Sequence, residues 1–548
     1  MWFKRFPSKK KRRDFLSMAA SLWVRHRLLI AFLVFMGLGF FAIGAWIHMS
    51  TKGNGSKDED AIGHAKKEFL SSSANERAYG YDGIIDEMVE RELIPRLKDE
   101  VYLDYTGSGL YTLSQLDAYF EDLRQHVYGN THSRSPSSSR TEDRVDEARK
   151  LILEFFNADP SEYTVIFTSG ATAALKLVGE MFPISKKSHF EYLRANHNSV
   201  LGIRELFKQA GGSFGSISEE NLEKSLWERE QSSFRAGDGV TKDGENVYHL
   251  FGYPAEDNYA GVKYPLEWID RVKKHGIPAE SWDGKRTVED GKWLVLLDAA
   301  AYVPTNKLDL RKYHPDFVAV SWYKVFGFPN LGTLLVRNEH FDLCKKVFWG
   351  GGTVVISSCE TDFCVLQGRP DLKYEDGTPA FLHILALPYG LRLMKELGID
   401  RIQRHVWSLT SYLAREIADL KHSNGKKVAE IYGKHSLHDS SVQGGIVNFN
   451  LLTPSGDYVG YYDVQVKSAE VGFNLRTGVV CNPGACFDYL KISNSEVAEY
   501  YATKETCSDD QDVVNGKPLG SVRASLGYMS RFEDVFKLVQ FLKDNYVH

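Results

Sequence analysis

The sequence predicts an α/β fold: a large domain on a mostly parallel sheet, followed by a smaller α+β domain and preceded by one transmembrane helix. Three observations carry that expectation. From residue 101 to 340, apolar runs of strand length alternate with helix-periodic stretches, which implies parallel strands covered on both faces. After residue 345, long helix-periodic segments mix with short strands. Near the N-terminus, residues 28–47 carry no charge; at 1.5 Å per residue they span roughly the 30 Å of a bilayer core.

The chain has 548 residues, of which 43% are apolar and 25% charged, an ordinary globular balance with room for two or three domains. Its net charge of −5 gives no basic surface for nucleic acid. The six cysteines show no paired zinc spacing, so no metal site is expected. Cys359 and Cys364 could pair in an oxidising compartment; a working thiol fits a reducing one.

Residues 1–27 are basic, with Lys9 to Arg13 at their centre. Residues 28–48 form the candidate membrane span, with Trp46 placed for the interface. A buried core helix is the competing reading, but a helix apolar on every face has nothing obvious to pack against. The positive-inside rule puts the N-terminus in the cytosol and the catalytic mass across the membrane; the alternative is an organelle-targeted anchor, with the basic segment acting as a mitochondrial presequence. Residues 49–78 are polar and read as a linker.

The large domain is expected over 79–345. Val101–Asp104 reads as a strand, Tyr128–His132 and the serine-rich Ser133–Ser139 as a loop, and Glu142–Phe156 as a helix with Val145, Ala148, Ile152 and Phe155 on one side. Tyr163–Thr168 is a strand that runs through Ser169, Gly170, Ala171 and Thr172 into a helix. Small residues at such a turn expose backbone N–H groups at the helix's positive end and suit a phosphate; an ordinary capped helix looks the same. Residues 212–250 and 276–292 read as polar surface insertions. Asn258 follows the strand beginning at Leu250, and Asp298 ends the strand Leu294–Leu297. Lys324 sits in a turn between the apolar runs Phe317–Val320 and Leu334–Val336, flanked by Ser321 and Tyr323. Ligands of such sheets bind beyond the strands' C-terminal ends. A lysine, a strand-end aspartate and an anion turn are what pyridoxal 5'-phosphate (PLP) needs: an amine for its aldehyde, a partner for its ring nitrogen and a phosphate seat. His197 is either a satisfied core histidine or a ring stacked on that cofactor.

The small domain is expected over 346–548. Gly350–Thr353 is glycine-rich, residues 380–421 are helix-periodic, and Gly444–Asn450 is a strand with a helix after it at Tyr458–Ser468. In Arg476-Thr-Gly-Val-Val-Cys481, the glycines and Pro483 imply a loop. A loop cysteine near an arginine can act as a thiolate; a buried, inert thiol is the alternative. Arg523, inside the strand-like Ser521–Ser525, needs a carboxylate partner.

Several of these segments resemble a known family. Tyr102-Leu-Asp104, Tyr128-Gly-Asn130, Tyr163–Thr168, Thr172–Leu177, Leu297–Ala301, Ser321–Pro329, Gly350–Thr353, Glu375–Thr378 and Gly520–Arg523 look like the PLP-dependent domain of molybdenum cofactor sulfurases. These belong to the class V aminotransferase superfamily, with the cysteine desulfurases. The resemblance runs from about residue 80 to the C-terminus and implies a PLP-dependent transferase fold (type I aminotransferase-like). It implies that Lys324 binds PLP, Asp298 partners the ring nitrogen, Cys481 takes sulfur from L-cysteine, and Arg523, with Arg476 nearby, holds the substrate carboxylate. A structural salt bridge is the competing role for Arg523. Thr353 would reach the phosphate site across a homodimer. Cys486 would be structural or resolve a persulfide. The implied acceptor is the molybdenum cofactor or its carrier enzyme; the alternative is a membrane-anchored cysteine desulfurase or selenocysteine lyase serving another acceptor. Two departures stand out: the family's usual C-terminal molybdopterin-binding domain does not follow here, and the loop Phe326–Gly332 is one residue short.

Overall fold

The computed structural model describes residues 60–232, 246–288, 291–502 and 511–548. The chain divides into two units, Met1–Ser72 and Ser73–His548. In the first, residues 60–71 are helical. The expected membrane span, 28–48, lies outside the described residues; among those described, no helix is long and apolar enough to cross a membrane.

The second unit is built on a seven-stranded sheet. Its strands are β1 (Tyr163–Thr168), β2 (His189–Leu193), β3 (Ser213–Ile217), β4 (Tyr248–Pro254), β5 (Lys292–Asp298), β6 (Phe317–Ser321) and β7 (Gly332–Arg337), in the order β1-β7-β6-β5-β4-β2-β3. Only β7 runs against the others, so the sheet is mixed but mostly parallel, as expected. The strands are near-continuous apolar runs because both faces are covered. Helix α2 (Ala171–Met181) packs Ala174, Leu175, Val178 and Met181 into a core with Ile166, Phe190, Leu250 and Phe317. Each such large buried side chain contributes roughly 1.5–3 kcal/mol.

Register brings the site together. Gly332 at the start of β7 is paired with Thr168 on one side and Ser321 on the other, and Asp298 is level with Pro254 and Ala319. The C-terminal ends of β1, β4, β5 and β6 therefore share one edge. Gly332 is required there: a Cβ would lie 2.4 Å from the Gly170 carbonyl carbon.

A second sheet runs β8 (Ala429–Tyr432), β9 (Ile446–Leu452), β11 (Ser521–Ser525), β10 (Arg476–Gly478), all pairs antiparallel. The segment 380–421 forms two helices, Phe381–Leu397 and Ile399–Ala418, separated at Gly398, whose φ of +79° ends the first.

Several expectations need correction. Residues 212–250 are not merely a surface insertion: they supply edge strand β3 and a helix over Glu219–Gln231. The alternation in Ser-Phe-Gly-Ser-Ile is too short to stand out from its polar surroundings. The serine run is not all loop, since helix α1 (Pro136–Phe155) begins inside it, capped by the Ser135 hydroxyl and started by Pro136. The helix expected from Tyr458 begins at Tyr461, after a strand at Tyr458–Val459 that pairs with β9. Lys324 lies on a short helix, α3 (Trp322–Phe326), not in a bare turn. The start of the span 79–345 pairs with the C-terminal part of the chain: Val101–Tyr102 forms a separate two-stranded sheet with Phe473–Asn474, and Asp104 bridges to Ser525 in β11.

Candidate active site

A cavity of about 560 Å3 opens at the shared strand edge. It is lined by Ser169, Gly170, Ala171 and Thr172 on one side, His197 and Asn258 on another, and Asp298, Ser321, Tyr323 and Lys324 at its base. Of the residues expected around the cofactor, only Thr353 is elsewhere in the chain. It is fully buried, and its Oγ1 exchanges hydrogen bonds with Gly350, accepting from the nitrogen (3.0 Å) and donating to the oxygen (2.9 Å), within its own glycine turn.

Gly170 precedes α2 without a side-chain cap, so the first N–H groups of that helix face the cavity end unclaimed by a cap. Thr172 Oγ1 and Ser199 Oγ are 2.8 Å apart, which joins this turn to the His197 segment. Asp298 is buried, and its Oδ1 accepts from the Ala300 nitrogen at 3.0 Å. His197 Nδ1 accepts from the Ser199 nitrogen at 3.1 Å, which places the ring proton on Nε2. Burial lowers the His197 pKa, and Asp298 opposes that shift. Lys324 is half-buried; burial pushes its ammonium pKa down, and Asp298 partly restores it. Among the described residues no hydrogen bond or ion pair holds its amine, and that free amine beside a strand-end carboxylate and an uncapped helix start fits PLP.

Cys481 lies in the turn between β10 and helix α4 (Pro483–Leu490) and is exposed. Val480 and Cys481 both have left-handed backbone, with φ of +47° and +59°, uncommon for any residue but glycine and a genuine outlier for a β-branched one. Neighbours hold the turn: Asn258 Nδ2 donates to the Val480 oxygen (2.6 Å), Asn482 Nδ2 to Asn258 Oδ1 (3.2 Å), and the Asn198 nitrogen to the Cys481 oxygen (2.8 Å). The loop is thus tied to two cavity-wall segments. Cys486 is wholly buried and its thiol is pushed up to about 12 by burial, which makes it an inert packing residue.

Arg523 is buried. Its Nη1 donates to the Asn258 oxygen and its Nη2 to Asp104 Oδ1, both at 2.7 Å. The salt bridge weighed against a substrate role is therefore present. Arg476 is exposed and 3.7 Å from Asp104 Oδ2. Sequence reasoning gave Asp104 and Ser199 no role. Asp104 stood inside a quoted motif, and its distance in sequence from Arg523 hid the pairing.

A lysine and an aspartate at the ends of parallel strands, opposite an uncapped helix start, define the PLP-binding class of α/β enzymes. Residues 101–222 and 283–538 match the aminotransferase class-V family, and the chain belongs to that family. It is similar to molybdenum cofactor sulfurase of Oryza sativa subsp. japonica, 39% identical over 507 residues, covering 88% of this chain and 60% of that protein. The Homo sapiens molybdenum cofactor sulfurase is 40% identical over 486 residues, 87% of this chain and 53% of that one. The chain thus spans 60% or less of these relatives' length. Among solved structures, it is similar to the apo cysteine desulfurase of Thermococcus onnurineus (TM-score 0.64, 20% identity, 84% of this chain and 97% of that one). An Escherichia coli cysteine desulfurase in an S-sulfonic acid form has a TM-score of 0.61 at 17% identity, covering 84% of this chain and 98% of that one. At these identities the two structures speak to the fold.

Proposed function

We propose that this chain is a PLP-dependent L-cysteine desulfurase that carries sulfur on Cys481 and passes it to the molybdenum cofactor. The observation that carries the reading is the unpartnered amine of Lys324, in a cavity walled by Asp298, His197 and the turn 169–172. Support for the acceptor comes from the sulfurase relatives. Bound through Lys324, PLP supplies an electron sink for bond breaking at the substrate carbons.

The protein's own residues supply the rest. Asp298 would hold a proton on the cofactor's ring nitrogen. His197, oriented by its Ser199 bond, would help hold the cofactor's ring. Lys324, its basicity reduced by burial, moves a proton to and from the substrate carbon. Arg523 receives the amino acid's carboxylate. Cys481 Sγ forms a bond to the substrate sulfur as the substrate's Cβ–S bond breaks, so that L-cysteine and an enzyme thiol become alanine and an enzyme persulfide. The exposure of Cys481 suits hand-over to an acceptor. The glycine turn 350–353, whose form the buried Thr353 hydroxyl holds, completes the phosphate seat from a second copy of the chain, and residues 28–48 tether the enzyme to a membrane.

The test is direct. The purified protein is expected to be yellow and to release alanine from L-cysteine, with sulfide when a reductant is present. Lys324→Ala loses the colour; Cys481→Ala keeps it and loses turnover. A colourless wild-type protein contradicts the reading. Adding a desulfo-molybdenum enzyme identifies the acceptor, since its activation is expected only if sulfur reaches that cofactor.

A further inference from the structure

Two arginines face each other beside the cavity. Arg476 on β10 and Arg523 on β11 are paired directly in register, an arrangement that like charges make unfavourable. Asp104 arrives from a distant part of the chain and lies between them, with Oδ1 2.7 Å from Arg523 Nη2 and Oδ2 3.7 Å from Arg476 Nη1. Two guanidinium groups and one carboxylate leave one positive charge uncompensated. The Arg523 side chain is 3% exposed, so water does little to screen it. Its contacts with Asp104 and the Asn258 carbonyl use one N–H on each terminal nitrogen. Among the described residues Nε has no partner, and donors remain on the guanidinium for a further acceptor.

Resting on the reading above, in which Arg523 receives the amino acid's carboxylate, we propose that Asp104 is the positioning residue for that contact. Asp104 neutralises the Arg476–Arg523 pair and holds Arg523 against Asn258, a residue of the cavity wall. The single positive charge it leaves matches one carboxylate. Without Asp104 the two guanidinium groups repel, Arg523 leaves its place, and the carboxylate loses its seat while the amine and thiol ends of the substrate keep theirs.

The test uses the full-length protein loaded with PLP. Asp104→Ala is expected to raise KM for L-cysteine roughly ten- to hundredfold, the range for losing a hydrogen bond to a charged group, with kcat changed much less. Binding of cysteamine, which keeps the amine and thiol but lacks the carboxylate, is read from the cofactor's visible absorbance and is expected to be unchanged. The double variant Asp104→Ala/Arg476→Ala, which also removes the repulsion, recovers most of the lost affinity. Should Asp104→Ala fail to fold, Asp104→Asn, which keeps the shape but not the charge, shows a smaller rise in KM. Equal weakening of both ligands, an unchanged KM, or no recovery in the double variant overturns the proposal. If the wild-type protein turns over L-cysteine and Asp104→Ala matches it, this inference alone falls. If the wild type neither colours nor consumes L-cysteine, the desulfurase reading fails and takes this one with it.

Discussion

Removing the side chain of Asn258 takes away two of the three ties on the Cys481 loop. Asn258→Ala loses the 2.6 Å bond to the Val480 oxygen and the 3.2 Å bond from Asn482, whose buried amide is left without that partner. At about 1 kcal/mol each, these bonds contribute about 2 kcal/mol to holding the loop. Opposing them is the left-handed backbone at Val480 and Cys481, which costs about 1–2 kcal/mol per residue. The terms are of the same size, so losing the clasp shifts the loop away from its observed form. Two kcal/mol is roughly a thirtyfold change in population. Asn258→Ala is therefore expected to keep the yellow cofactor, because Lys324, Asp298 and the turn 169–172 are untouched, while alanine release from L-cysteine falls roughly ten- to thirtyfold. Thermal melting checks that the fold survives. Wild-type turnover in a folded Asn258→Ala protein would refute the claim that this clasp positions the thiol.

Two further predictions concern the cavity floor and the sheet's other end. Gly332→Ala places a methyl group against the Gly170 backbone, so it is expected to weaken PLP binding, measured by cofactor titration, far more than it lowers the melting temperature. Glu191 is buried against His189, 2.8 Å away, and burial pushes its carboxyl up to about 8 from 4.5. Between those values the folded state binds more protons than the unfolded one, so this group makes stability fall as pH rises. Glu191→Gln is expected to gain stability relative to wild type from pH 5 to 8, read by denaturant unfolding; a constant difference across that range contradicts the assignment.

Much of the site was legible because it depends on strand ends. Asp298, Ser321 and the turn after Thr168 follow apolar runs whose parallel pairing fixes where their C-terminal ends fall, and the cavity gathers them as expected. Lys324 lies between the two expected strands, but on a helix that the sequence did not signal: five residues carry no readable period. The edge strand Ser213–Ile217 was missed because an edge strand needs little apolar content. The Asp104–Arg523 pair was missed for a different reason. It joins residues 419 positions apart, and nothing local in either segment encodes that pairing. The clasp of Asn258 on the Cys481 loop likewise joins segments 222 positions apart.

The most direct measurement is mass spectrometry of the peptide containing Cys481 after the PLP-loaded protein is mixed with L-cysteine and quenched without reductant. One added sulfur atom on Cys481, absent from Lys324→Ala, is the predicted result. An unmodified Cys481 while alanine is being released, or the extra sulfur on another cysteine, would contradict the account.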